Sequence, residues 1–251
     1  MSKSPWFLSR PRGPVRLRMF CFSHAGGNAG SYMPWQGRLD AAVEVVGVQL
    51  PGRGARLREP LLTDVPTAVA RIAEVFPFDD PLPFVFFGHS LGALLAFELA
   101  RHASRHGKPV PLALIASGCD APQFGNRGSD VHELHGDALV AALARYNGAP
   151  PELLAHRELM ELMAPTIRAD FAMAAHYRYE PGPPLEIPIV VLNGHGDAEI
   201  EHEHEHLGEW QRETRLPCRQ HLFEGDHFFI HSNEAAVLAL LDRELKACQP
   251  A

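Results

Sequence analysis

Cysteine is scarce in this chain of 251 residues, and its cysteines follow no pattern. They stand far apart, and no two of them form a Cys-x-x-Cys pair; they are Cys21, Cys119, Cys218 and Cys248. Zinc sites and disulfide frameworks both need closely and regularly spaced cysteines, so neither is predicted. Because free thiols persist in a reducing compartment, the expected location is the cytoplasm.

Long apolar runs and basic runs are missing as well. No apolar run reaches the roughly 20 residues that a membrane-spanning helix needs. Residues 1–14 are polar, contain prolines and lack the apolar core of a signal peptide. The chain carries 23 basic and 30 acidic residues, a net charge of −7, and no lysine or arginine run. We therefore expect neither a membrane nor a nucleic acid as a partner.

Short apolar runs alternate with helical patterns along most of the chain. The predicted strands cover residues 16–22, 43–50, 84–87, 112–117, 187–192 and 220–223, and the predicted helices cover 67–76, 91 to about 107, and 235–246. This alternation is typical of an α/β fold, in which helices cover both faces of a mainly parallel sheet. The length fits one such domain over residues 1–251.

One region interrupts the alternation. Residues 121–184 contain no convincing strand, but they contain helical patterns over 136–146, 152–163 and 165–179. An insertion between two strands lies over the strand ends, where parallel sheets bind ligands. We expect these helices to form a lid over a substrate site. A plain helical elaboration of the fold is the alternative.

The pentapeptide Gly88-His89-Ser90-Leu91-Gly92 follows a predicted strand and precedes a predicted helix. Gly-x-Ser-x-Gly in this context is typical of the nucleophile elbow of α/β-hydrolases, a sharp turn that exposes the serine hydroxyl. The glycines lack the Cβ atoms that would clash in so tight a turn. The sequence therefore predicts Ser90 as a nucleophile.

A serine nucleophile needs a base and an acid, which follow it along the chain in α/β-hydrolases. His227 comes directly after the last predicted strand and is the predicted base, in preference to His231 in the closing helical segment. Asp197 follows the strand before it and is the predicted acid, with Asp120 as the alternative. Asp226 adjoins the base in sequence, so its side chain is expected to be solvated.

Two backbone N–H groups should stabilise the oxyanion that forms when the serine attacks. One belongs to Leu91, directly after the nucleophile. The other is expected at Ala25, in the glycine-rich loop His24-Ala25-Gly26-Gly27 after an early strand. The oxyanion hole is therefore predicted to consist of Ala25 and Leu91.

Two charged clusters carry weaker signals. His202 and His206 would share a helix face, but no His-Glu-x-x-His pattern accompanies them. A solvated helix start is expected there, and no metal. Arg53, Arg56 and Arg58 follow a Pro-Gly turn, where they would either bind an anionic group or lie on a solvated loop.

Several stretches together resemble the type II thioesterases, the stand-alone editing enzymes of polyketide and nonribosomal peptide synthesis. These stretches are RLRMFCFSHAGG (16–27), VQLPGRG (48–54), FGHSLGALLAFELA (87–100), GHGD (194–197) with Trp210 after it, and GDHFF (225–229). They occur in the order of that family and span nearly the whole chain. The resemblance implies an α/β-hydrolase fold with a helical lid.

The resemblance also implies a substrate and a mechanism. The substrate is an acyl thioester on the phosphopantetheine arm of an acyl or peptidyl carrier protein, and the mechanism is that of a Ser-His-Asp acyl-enzyme. Neither a metal nor an organic cofactor is expected, and the enzyme is expected to be a monomer. A carboxylesterase or lipase acting on free esters is the alternative within the same fold, and a non-catalytic binding protein is the alternative outside enzymes.

Overall fold

The computed structural model describes residues 4–125, 130–146, 151–198 and 205–248. Its strands form a seven-stranded sheet in the order β1-β3-β2-β4-β5-β6-β7. The strands are β1 (Phe7–Ser9), β2 (Leu17–Phe22), β3 (Val43–Val48), β4 (Phe84–His89), β5 (Leu114–Ser117), β6 (Ile189–Gly194) and β7 (Cys218–Phe223). All neighbours are parallel except β1 and β3. The predicted mainly parallel sheet is confirmed.

Successive residues of the central strands point into two different hydrophobic cores. Phe20 and Phe86 belong to the core that packs under α1 (Val65–Val75) and α2 (Leu91–Arg105). Met19 and Phe87 belong to the core under α8 (Glu234–Cys248). Because side chains alternate across a strand, these cores lie on opposite faces of the sheet. Burial on both faces explains why the central strands read as continuous apolar runs.

The region between β5 and β6 contains three helices, α3 (Gly136–Tyr146), α4 (Pro151–Ala155) and α5 (Arg157–Ala175). They pack around a small core of their own, formed by Val131, Leu139, Ala142, Met160, Ile167 and Phe171. The predicted boundary between the second and third helices is wrong. The chain breaks at His156, and α5 continues through Pro165, because the residues after the proline are buried against the rest of the protein.

The remaining two α-helices of the described residues are four residues long each. They are α6 (Glu205–Gly208) and α7 (Phe229–Ser232). His231 lies in α7 rather than in the long closing helix α8, where the sequence placed it. Among the described residues, the helices are too short or too polar to cross a membrane.

The strand β1 is not among the strands predicted from the sequence. Phe7–Ser9 is only three residues long, and it pairs antiparallel with the outer side of β3. A strand this short has no measurable alternation, and the prolines around it favour a loop. Its place in the sheet is secured by the aromatic ring of Phe7, which packs edge-on against Phe20 and Phe76.

Candidate active site

The strand–turn–helix around Ser90 has the geometry that the pentapeptide predicts. Ser90 lies between β4 and α2 with φ 56° and ψ −123°, and it is the single non-glycine residue with positive φ in the described parts of the chain. This conformation is strained for a residue with a Cβ, and the neighbouring chain must hold it in place. The Ser90 N–H donates to the Ser117 carbonyl at 2.8 Å, and the Ser90 carbonyl accepts from Ala93 N at 2.8 Å.

The two glycines of the pentapeptide are required by close backbone contacts. A Cβ on Gly88 would lie 2.2 Å from the Gly92 carbonyl oxygen, and a Cβ on Gly92 would lie 2.1 Å from the Phe22 carbonyl oxygen. Backbone atoms cannot move aside as a flexible side chain can. Any larger residue would therefore push α2 away from the sheet, and Ser90 would leave its position at the helix N-terminus.

The predicted base and acid meet in the folded chain. His227 Nδ1 lies 2.9 Å from Asp197 Oδ2, and both side chains are buried. Because a carboxylate only accepts hydrogen bonds, Nδ1 carries the proton and Nε2 is free to accept one. His227 and Ser90 line the same cavity. The hydrogen bonds of the described residues do not include one between their side chains, and such bonds often form only when substrate is bound.

The alternative acid has a different partner. Asp120 lies 3.2 Å through Oδ2 from His206 Nδ1, and the His206 ring stacks on Phe124 with centroids 3.6 Å apart. His206 is thus mostly buried, which contradicts the solvated helix start expected for it; His202 falls outside the described residues. Asp226 is only partly exposed, and its carboxylate accepts from the Phe228 N–H, so it is not simply solvated.

The glycine-rich loop is held by hydrogen bonds on both sides of Ala25. Gly27 N donates to the His24 carbonyl at 2.9 Å, and Gly26 N donates to Asp170 Oδ2 at 2.7 Å. The N–H groups of Ala25 and Leu91 take part in none of the hydrogen bonds found among the described residues. Leu91 is the first residue of α2, where a helix has unpaired N–H groups and a positive dipole end.

Neither expectation for the arginine cluster is correct for Arg53 and Arg56. Arg53 is buried and makes a two-pronged ion pair with Asp170, with distances of 2.5 and 2.7 Å. Arg56 is buried too, lies 3.7 Å from the centre of the Trp6 ring and pairs with Glu59. Both guanidinium groups are thus paired with carboxylates of this chain, and an anion from outside would have to displace a carboxylate.

A cavity of about 290 Å³ joins these groups. Ser90, His227, Ala25 and Leu91 lie on its wall. Its other walls are mainly apolar and include Leu143 and Tyr146 of α3, Leu154 of α4, and Met160, Met163, Ile167 and Phe171 of α5. Apolar walls with a few convergent polar groups are typical of small-molecule sites. The helices between β5 and β6 therefore form much of the wall facing the nucleophile turn.

Two histidines beside the cavity, one partly and one fully buried, were not singled out from the sequence. His89 is fully buried, and its Nδ1 lies 2.9 Å from Ser117 Oγ. His24 packs edge-on against Phe228, and its Nδ1 is buried with no hydrogen-bond partner among the described residues. Burial lowers the pKa of His24 to about 3 and that of His89 well below its ordinary value, and nearby cationic groups, including His227 when protonated, lower both further. Both rings are neutral in the folded protein at neutral pH.

The pKa of both rings is lower in the folded protein than in the unfolded chain, so the free energy of unfolding depends on pH. Each of the two rings takes up a proton on unfolding once the pH is below about 6.5, the ordinary pKa of histidine, so protons favour the unfolded chain. The free energy of unfolding should be highest above that pH and should fall towards pH 4 by up to about 1.4 kcal/mol per pH unit for each ring. Urea unfolding at pH 7 and pH 5 measures this slope.

Variants of a buried and of an exposed histidine show which residue causes the loss of stability at low pH. His89→Gln should reduce the loss of stability between pH 7 and pH 5, whatever its effect at pH 7. His135→Gln, at an exposed histidine, should leave the loss unchanged. Equal slopes in the wild type and in His89→Gln would show that His89 is not a source of the pH dependence.

Comparison with known proteins identifies the family. The model of the Thioesterase domain family matches residues 17–245. Linear gramicidin dehydrogenase LgrE of Brevibacillus parabrevis is 35% identical over an alignment 251 residues long, gaps included, that covers 98% of this chain and 95% of that protein. Thioesterase PikA5 of Streptomyces venezuelae is 33% identical over 226 residues, 90% of this chain and 79% of that protein.

A solved structure supports the same assignment. The type II thioesterase BorB from the borrelidin biosynthetic cluster superposes with a TM-score of 0.88 at 34% identity, covering 98% of this chain and 99% of BorB. LgrE is named as a dehydrogenase, but the matching family model describes a thioesterase domain, and PikA5 and BorB are both named as thioesterases. The chain therefore belongs to the thioesterase family, and within it to the type II thioesterases, which have an α/β-hydrolase fold and hydrolyse thioesters.

Proposed function

We propose that this enzyme removes stalled or wrong acyl groups from the phosphopantetheine arms of carrier proteins in polyketide and nonribosomal peptide synthesis. One observation carries the proposal: the strained Ser90 turn and His227, whose Nδ1 is paired with Asp197, line the same mainly apolar cavity. A nucleophile and its base at an apolar chamber suit an acyl group with a reactive carbonyl. Because the chain belongs to the thioesterase family, the bond that is cleaved is a thioester.

Each residue has a defined part in the proposed reaction. Ser90 Oγ attacks the thioester carbonyl carbon, and its proton moves to Nε2 of His227. The Asp197 carboxylate holds the Nδ1–H of the imidazole and stabilises the ring when it is protonated. The N–H groups of Ala25 and Leu91 stabilise the oxyanion, at about 3–4 kcal/mol for one donor in comparable enzymes.

The second half of the reaction restores the enzyme. The carbon–sulfur bond breaks, and the pantetheine thiol leaves with the proton from His227. A water molecule then gives a proton to the same imidazole nitrogen and attacks the acyl-serine carbonyl. The bond between that carbon and Ser90 Oγ breaks, and Oγ takes the proton back from His227. The products are a free carboxylic acid and an unloaded carrier arm, ready to be loaded again.

The proposal also covers the role of the insertion, the partner protein, the oligomeric state and the location of the enzyme. We assign residues 1–251 to one domain, in which the insertion over 121–184 acts as a lid, because α3, α4 and α5 line the cavity. An acyl or peptidyl carrier protein is the expected partner, and the enzyme is expected to act as a monomer. The four cysteines are free thiols, in keeping with the reducing cytoplasm.

Substrate preference tests the proposal. The same acyl group, acetyl or propionyl, is offered on a carrier protein, on free pantetheine and as a small oxygen ester. Contacts with the carrier away from the reacting carbon can stabilise the transition state, so we expect kcat/KM for the loaded carrier to exceed that for pantetheine about 10- to 100-fold.

The Ser90→Ala variant sets the background for all three substrates. A higher kcat/KM for the oxygen ester than for either thioester would indicate a general carboxylesterase. Cleavage of none of the three by the wild type would favour a binding protein.

A further inference from the structure

The glycine-rich loop is tied to the insertion by a buried junction far from Ser90 in sequence. Asp170 of α5 is fully buried, and its carboxylate accepts from Gly26 N at 2.7 Å and from both terminal nitrogens of Arg53. Arg53 Nη1 also donates to the Gly27 carbonyl at 3.2 Å. One ion pair thus holds the loop at two successive residues.

The hydrogen bonds of the loop leave one N–H available. The His24 carbonyl and the Ala25 N–H belong to the same planar trans peptide, so they point in opposite directions. That carbonyl is fixed by Gly27 N at 2.9 Å, and the next N–H, on Gly26, is fixed by Asp170. The hydrogen bond to the His24 carbonyl and the hydrogen bond from the Gly26 N–H therefore hold the peptide group between His24 and Ala25. Neither bond uses the Ala25 N–H.

We propose that Arg53 and Asp170 are positioning residues for the oxyanion hole. Their ion pair fixes the loop so that the Ala25 N–H is in place before the oxyanion forms. An oxyanion hole stabilises the transition state because its donors do not have to reorganise during the reaction. If only the hydrogen bond from Gly27 N to the His24 carbonyl held the loop, the Ala25 N–H would have to move into position during the reaction. The inference rests on the proposed function, since it assigns these residues to the same reaction.

The junction also connects the loop with the wall of the cavity. Ile167 and Phe171 line the cavity from the same helix that carries Asp170. A Cβ on Gly26 would lie 2.9 Å from the Ile167 side chain, so helix and loop are in direct contact. One helix therefore supports both the wall and the oxyanion hole. A shift of α5 would move both.

Charge removal from both partners tests the inference. Asp170→Asn alone would leave the Arg53 charge buried and unpaired, and this variant could fail to fold. The double variant Arg53→Gln/Asp170→Asn removes both charges and keeps polar groups at both positions. A misplacement near 1 Å costs about 100-fold in rate, so we expect kcat on the loaded carrier to fall about 10- to 100-fold with KM changed less than about threefold.

The control removes a neighbouring bond of the same junction. Thr166 Oγ1 donates to the Gly52 carbonyl at 2.7 Å, is buried, and makes no hydrogen bond to residues 24–27 in the described structure. Thr166→Val should lower the melting temperature and leave kcat within about twofold. A second readout is inhibition by an alkylboronic acid, whose tetrahedral serine adduct needs the oxyanion hole; the double variant should bind it more weakly by the factor lost in kcat.

The outcomes separate the two proposals. If the double variant raises KM with kcat unchanged, or loses no more kcat than Thr166→Val, Arg53 and Asp170 are purely structural and the inference is overturned. If wild type and Ser90→Ala hydrolyse the loaded carrier equally, the proposed function itself fails. Asp170→Glu, which keeps the charge but moves the carboxylate, should give a kcat between those of the wild type and the double variant.

Discussion

Replacing Ser90 with alanine should lower kcat for the loaded carrier by about 10⁴- to 10⁶-fold, the loss seen when a serine nucleophile is removed from comparable enzymes. Alanine removes the oxygen that attacks the thioester, and the oxyanion donors and the cavity remain. KM should change little for the same reason. Acid release from the carrier and the appearance of its free thiol, followed over hours, measure the residual rate.

A second serine of the cavity wall provides the control. Ser31 is exposed and lines the same cavity, so Ser31→Ala removes a hydroxyl from the site and should leave kcat within about threefold. Both variants should unfold at temperatures near that of the wild type. A Ser90→Ala protein that retained a tenth of the wild-type rate would show that another group carries the reaction.

The nucleophile turn could be predicted from the sequence because its causes are local. An apolar strand, two glycines with no room for a Cβ, and a helix start all stand within 22 residues, over β4 and α2. The positions of the six longer strands along the chain follow from apolar runs of the same kind. His227 and Asp197 could be placed because each comes directly after a strand, and strand ends meet at one edge of a parallel sheet.

The junction of Arg53 and Asp170 could not be predicted in this way. The two residues are 117 positions apart, and each occurs in a segment whose charges suit a solvated surface equally well. His206 and Asp120, which also pair, are 86 positions apart. Such pairs depend on how segments distant in sequence pack together in the fold, and no local pattern of charge or hydrophobicity records that packing. β1 is missed for the opposite reason, since its sequence is too short to show any pattern.

The choice between the two candidate acids gives the second large effect. Asp197 and Asp120 both follow strands of the sheet, and each carboxylate pairs with a histidine, at 2.9 Å to His227 and 3.2 Å to His206. Asp197→Asn can donate a hydrogen bond to Nδ1 and so favours the imidazole tautomer that cannot accept the Ser90 proton. We expect kcat to fall about 10⁴-fold, as in serine proteases with the same change.

Asp120→Asn is the matched variant, with the same chemical change at a carboxylate paired to the other histidine. It disturbs the wall of the cavity and not the base, so kcat should fall less than about tenfold, a loss of under 1.4 kcal/mol in transition-state stabilisation. Steady-state kinetics on the loaded carrier, with the melting temperature of each variant, separate the two roles. A large loss in Asp120→Asn with near-normal kcat in Asp197→Asn would reverse the assignment. It would mean that the His227 ring turns towards β5 when substrate binds.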